Sequence, residues 1–173
     1  LGGFFLSLAP SLLAAATGST SVLNGGLAVA ALTISGAISI MNLRLKAPRL
    51  ALLVGCSFLA AGVSVVLVAV DLGWLWLFFT GTVVAGIGFG ASFLGALRLL
   101  LPLAHAHERA GLMSAFLALS YLAFCIPALL AGLAVKTEGL IVTTNAYGAV
   151  VVVLALLALG GLLMRRSAEA KAA

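Results

Sequence analysis

The sequence predicts an all-α, polytopic membrane protein with six transmembrane helices, and three observations carry that prediction. Composition is the first. Of 173 residues, 64% are hydrophobic and only 8% are charged, where soluble domains carry about 25% charged residues. The second is segmentation into six apolar stretches: Leu1–Gly18, Val22–Leu43, Leu50–Val70, Trp74–Leu101, Gly111–Val135 and Ala146–Met164. Each is close to the roughly 20 residues that a helix needs to cross the hydrocarbon core. The third is where the charges fall. Eight of the nine basic residues lie in alternate breaks: Arg44, Lys46 and Arg49, then Arg98 and Arg109, then Arg165, Arg166 and Lys171. The other side holds only Lys136, beside Glu138, and Asp71. Lipid cannot satisfy backbone hydrogen bonds, so the spans must be helices. The positive-inside rule places the second and fourth breaks and the C-terminus in the cytoplasm, and with six crossings residue 1 as well. The expected location is the plasma (cytoplasmic) membrane, with residues 1–166 forming the bundle and 167–173 a short disordered tail.

Span one holds Pro10, which removes a backbone donor and predicts a kink. Ser7 or Ser11 is placed to take up the freed carbonyl. The chain begins at Leu1, without a basic n-region or a small-residue cleavage pattern. That predicts missing upstream sequence rather than a signal peptide. Gly18-Ser19-Thr20-Ser21 makes the first external turn. Asn24 opens span two, in which small residues alternate with Leu, Val and Ile up to Asn42. The basic turn Arg44–Arg49 follows, and its Pro48 suits the first turn of span three. Span three carries few polar groups beyond Cys56, Ser57 and Ser64, and reads as a lipid-facing helix.

Span four is the longest and carries Gly86, Gly88, Gly90 and Gly95. Gly86 and Gly90 form a GxxxG pair, and Ala91 and Gly95 repeat the small spacing that lets helices approach closely. Span five holds Ser114, Ser120, Tyr121, Cys125 and Pro127, then the small pair Ala128 and Gly132. Span six, nearly all Ala, Val, Leu and Gly, reads as a second lipid-facing helix. The polar and small residues thus fall on spans one, two, four and five, a three-plus-three pattern of the kind found in secondary transporters built from repeats.

Several chemistries are disfavoured. The net charge of +5 is spread over loops instead of being clustered with aromatics, so no nucleic-acid partner is expected. Gly86-x-Gly88-x-Gly90 lacks the third glycine of a dinucleotide loop and sits inside an apolar helix. Gly90-Ala91-Ser92-Phe93 vaguely matches an intramembrane serine-protease nucleophile, but the histidines, His105 and His107, lie in a cytoplasmic loop, beyond reach of Ser92. Two histidines at i, i+2 do not share a helix face, and further metal ligands are missing nearby. Cys56 and Cys125 read as packing residues. No enzyme, metal or cofactor is expected.

Arg98 would close the cytoplasmic end of span four, with Glu108 and Arg109 opening span five. With Arg44 they are candidates for an ion-pair latch across the cytoplasmic ends of the bundle. The stretch Val84–Val135 resembles spans ten and eleven of the major facilitator superfamily. The shared features are an arginine closing a glycine-rich span, a Glu-Arg pair opening the next, and a proline followed by small residues towards its end. The turn Arg44–Arg49 resembles a worn form of that family's loop between spans eight and nine. The resemblance covers essentially the whole chain, as the C-terminal six-helix half.

The resemblance implies alternating access, with two halves rocking about a central cavity, and implies a missing N-terminal six-helix half as partner. In that family the first, second, fourth and fifth helices of each half line the cavity or the interface between halves. Cavity candidates are then Phe4, Ser7 and Ser11 on span one, Asn24 on span two, Phe89 and Phe93 on span four, and Tyr121 and Phe124 on span five. Gly86, Gly90, Gly95, Pro127 and Gly132 are the helix-packing candidates. No Asp, Glu, Lys or His lies mid-span, where such a residue usually marks a proton or ion relay. Coupling by a titrating group would therefore reside in the other half. An aromatic, hydroxyl-lined, uncharged cavity suits an apolar or weakly polar solute such as a drug-like compound. The expected function is secondary active transport, as an efflux carrier for a small molecule. The alternative is a non-transporting six-helix scaffold or partner subunit.

Overall fold

The computed structural model describes residues 22–105 and 107–172, with side chains from Gly25 to Met164 apart from Ala106. Span one, and with it Phe4, Ser7 and Ser11, lies outside the described residues. Five α-helices follow one another: α1 (Val22–Leu43), α2 (Pro48–Leu72), α3 (Leu75–Leu100), α4 (Arg109–Glu138) and α5 (Leu140–Ala172). A 3₁₀ turn, Leu101–Leu103, continues α3. All five are long and apolar enough to cross a membrane. Among the described residues the structure consists of helices and short turns, with no strand.

Local chemistry sets the breaks. Pro48 stands in the first turn of α2, where its missing N–H costs nothing. Gly73 ends α2 in the left-handed region at φ 68°, and the Trp74 N–H reaches back to the Ala69 carbonyl at 3.1 Å. This is the glycine-terminated helix end that side chains with a Cβ adopt only at a cost. A single residue, Gly139 at φ 86°, separates α4 from α5. Its N–H caps Val135 and its carbonyl receives the Thr143 N–H.

Helices α1, α2 and α3 form a tight slab with α3 in the middle, and α2 and α3 share the largest interface among the described residues. Glycine makes that closeness possible. A Cβ on Gly62 would fall on the Ala85 backbone, and one on Gly88 on the Leu59 backbone. On the other side of α3, a Cβ on Gly90 would strike the Gly36 carbonyl, and one on Gly86 the Ser35 hydroxyl and the Leu32 carbonyl. Gly95 faces Leu52 in the same way. Where lipid already satisfies apolar surface, this backbone proximity and its dispersion contacts hold helices together.

Span three, expected to face lipid, is corrected by this packing. As α2 it buries Ala51, Gly55, Cys56, Ala60, Gly62, Val63, Val66, Ala69 and Val70, and a larger share of its most apolar stretch is buried than in any other described helix. The expectation read a lack of polar groups as a mark of lipid exposure. In a bilayer the relevant mark is a stripe of small residues, and α2 has one. Phe58 and Val68 stand exposed on its other face.

The boundaries near the C-terminus also differ from expectation. Span six was expected to begin at Ala146, after a polar loop, yet α5 begins at Leu140. The Thr143 and Thr144 hydroxyls donate to the Gly139 and Leu140 carbonyls one turn back, which hides their polarity within the helix. Asn145 donates to the Asp71 carboxylate at 3.0 Å and ties α5 to the end of α2. The stripe of α5 that packs on α2 includes Gly148, on which a Cβ would meet the Leu67 side chain. The segment expected to be a disordered tail, 167–173, is helical through Ala172, in keeping with the helix-favouring residues Ala, Glu and Lys there.

Helix α4 is the outlier. Ala131 is its one buried residue, and its backbone approaches only α5 and the 3₁₀ turn in any number.

Candidate functional site

Because α4 stands off from the slab, a groove of about 320 Å³ opens between α1, α3 and α4. Six residues of α1 line it: Val29, Leu32, Thr33, Gly36, Ala37 and Ile40. Their spacing of i, i+3, i+4, i+7, i+8 and i+11 is one face of a helix. Phe89, Gly90 and Phe93 supply the α3 wall, and Phe124 the α4 wall.

Aromatic rings span the gap that backbones leave. Phe89 meets Phe124 edge to face, with centroids 6.1 Å apart and planes at 73°. Phe93 meets Phe116 at 5.3 Å and 55°. Such pairs contribute roughly 0.5–1.5 kcal/mol beyond the area they bury. They link α3 to α4, and Phe89, Phe93 and Phe124 also line the groove.

Among the described residues the groove holds one hydroxyl, that of Thr33. It lies 2.9 Å from the Val29 carbonyl and 3.1 Å from that of Ala30. Its single proton is thereby committed to the helix's own backbone, and only acceptor lone pairs face the groove. Among the described residues no charged side chain lines the space. A solute held here gains from burial and ring contacts, and an ion would forfeit its hydration for nothing.

Three of the cavity candidates, Phe89, Phe93 and Phe124, come together here. Tyr121 does not. It is 68% exposed on another part of α4. Asn24 falls in the first turn of α1, and its side chain lies outside the described residues. The α1 face and Phe116 escaped sequence reasoning. A signal for both was present: the α1 positions repeat at helical spacing, and Phe116 lies two turns before Phe124 on the same face.

Of the packing candidates, Gly86, Gly90 and Gly95 lie on the α3 seams. Gly132 has no atom within 4 Å of where a Cβ would be, and Pro127 is a half-buried residue inside α4. The structure does not bring the latch candidates together. Arg98 donates from its guanidinium to the Lys46 carbonyl at 2.7 Å, binding the α1–α2 turn to the end of α3. Glu108 turns inward to its own loop, accepting the His105 N–H at 3.2 Å and lying 3.8 Å from His107. Arg44 and Arg109 are exposed. Among the described residues no group of three His, Cys, Asp or Glu side chains is placed to hold a metal.

No protein family, curated protein or solved structure matches the chain.

Proposed function

We propose that this chain is the C-terminal six-helix half of a secondary active transporter that works by alternating access and exports a small molecule. The observation that carries the reading is the groove between α1, α3 and α4. It lies within membrane-spanning helices, is walled by Phe89, Phe93 and Phe124, and carries no charge. Ligand sites are concave, mostly apolar and sparing in polar groups. A rigid slab beside a loosely seated helix is also the kind of construction that alternates between two packings. The likeness of Val84–Val135 to the major facilitator superfamily supports the same reading, as does the alternation of basic breaks. On that reading the chain sits in the plasma membrane with both termini cytoplasmic, and a preceding six-helix half supplies the opposite wall and the coupling group.

The test is efflux of a neutral fluorescent aromatic dye from cells carrying the intact protein, with and without a pH gradient. Phe89→Ala and Phe124→Ala are each expected to lower transport about tenfold at limiting dye, the equivalent of about 1.4 kcal/mol. Dye retention equal to that of cells without the protein, over a range of neutral, cationic and anionic dyes, would favour the scaffold reading.

A further inference from the structure

We propose that the groove between α1, α3 and α4 selects an uncharged aromatic solute carrying one hydrogen-bond donor, such as a phenol or an indole, and that Thr33 accepts from that donor. The proposal rests on the reading of the groove as a transport site and names its substrate class. Thr33 stands near the middle of α1, as Phe89 does in α3 and Phe124 in α4. A solute held among them is far from the water at either end of the helices. Charge is also far away along the chain. No charged residue precedes Arg44, and none occurs in 75–97 or 110–135. An ion would find nothing on these segments to replace its hydration.

Thr33 is placed to read a donor. Its hydroxyl donates to its own helix, 2.9 Å from the Val29 carbonyl and 3.1 Å from that of Ala30. Those bonds fix the oxygen's position and leave its lone pairs for a solute. A hydroxyl that donates is also polarised into a better acceptor. Among the described residues it is the one polar side chain lining the groove. A solute donor that leaves water and finds no acceptor loses free energy. One donor is met by Thr33, whereas a second has no side-chain acceptor among the lining residues.

The walls call for a ring. Phe89, Phe93 and Phe124 line the space, and aromatic pairs gain beyond the area they bury. Gly36 and Gly90 meet at its floor, where a Cβ on Gly90 would strike the Gly36 carbonyl. The floor there is bare backbone, against which a flat ring can lie. The volume of about 320 Å³ is near the lower end of ligand pockets, roughly 300–1,000 Å³. That suits a solute of one or two fused rings better than a large drug.

The experiment compares 2-naphthol with 2-methoxynaphthalene, which has the same rings and no donor. Binding to the intact protein in lipid nanodiscs is measured by equilibrium dialysis near neutral pH, with partition into empty discs subtracted. Relative to the ether, 2-naphthol is expected to bind about fivefold more tightly to wild type than to Thr33→Val, the worth of one neutral hydrogen bond. Thr33→Ser keeps the hydroxyl and is expected to keep the preference. The proposal is overturned if Thr33→Val discriminates as wild type does, or if Thr33→Ser discriminates no better than Thr33→Val. It is also overturned if neither compound binds above empty discs, the result expected of a groove filled by lipid or by another part of the protein. A symmetric elution peak and unchanged helicity for each variant would exclude misfolding as the cause. Uptake of both compounds into proteoliposomes is scored separately. Discrimination in binding without any uptake would sink the transport reading and leave the site's chemistry standing, and uptake indifferent to Thr33 would do the reverse.

Discussion

The slab α1–α3–α2 and the single helix α4 answer the same problem in opposite ways. Both consist of apolar helices in a solvent that gives such helices no reason to associate. In the slab, glycines bring backbones together until nothing larger would fit. On α4, the glycines at 111 and 132 face open space, and contact with the slab is made by phenylalanine rings reaching across a gap. A glycine in a transmembrane sequence therefore says nothing by itself. What matters is whether a second helix presents its own small residue at the same height, as Gly36 does to Gly86 and Gly90.

The sharpest way to break this comparison is to add a side chain at a glycine on each side of it. Gly88→Val and Gly62→Val place atoms on the Leu59 and Ala85 backbones and are expected to destabilise by about 3 kcal/mol, the upper range for overpacking. Thermal unfolding in detergent would read the loss. Gly132→Ala is expected to be neutral or to stabilise by up to about 1 kcal/mol, through helix propensity alone. Equal damage from both kinds of variant would dissolve the distinction. Next in size is the ring bridge. A double-mutant cycle on Phe89 and Phe124 is expected to show a coupling of about 1 kcal/mol, whereas Phe89 paired with the exposed Tyr121 should show none.

Two smaller effects sharpen the comparison at the helix ends. Arg98→Ala removes the clamp on the Lys46 carbonyl, so amide exchange at residues 44–47 is expected to rise severalfold, for a bond contributing about 1 kcal/mol. The seam residues around Gly88 should keep their protection. Asn145→Ala is expected to cost less than about 1 kcal/mol, because the exposed Asp71 carboxylate can turn to water. Its mark would be looser docking of α5 on α2, read as faster exchange near Thr144 with the slab unchanged.

The helices that the structure describes were legible because lipid imposes a length and an apolar composition on anything that crosses it. The glycine pair on span four was legible for a similar reason, since GxxxG has a direct geometric meaning. The role of span three was not. Its stripe of Gly55, Gly62 and neighbouring alanines is invisible to a search for polar groups, and its partner face lies on another span. The start of α5 was obscured by Thr143, Thr144 and Asn145, whose polarity reads as loop until their hydrogen bonds are known. Of the groove's lining residues, Phe89, Phe93 and Phe124 were legible, as aromatics on spans that the resemblance assigns to the cavity. The α1 wall was not, because Val29, Leu32 and Ile40 look like any lipid-facing residues until a second helix stands off from them. The latch failed for a more general reason. Sequence supplies the charges at one end of a bundle, but Arg98 found a nearer acceptor in a backbone carbonyl, which no pattern of side chains announces.

The one-residue joint at Gly139 has a mechanical consequence. A helix of 30 residues is about 45 Å long, and α4 is tied to α5 at only one of its extremities. A tilt of about 5° at that joint carries the far extremity, beside His107 and Glu108, through about 4 Å, while the atoms next to Gly139 hardly stir. Displacement along α4 thus grows with distance from its anchor, so the mouth of the aromatic space nearest the histidine loop widens before any other part of it.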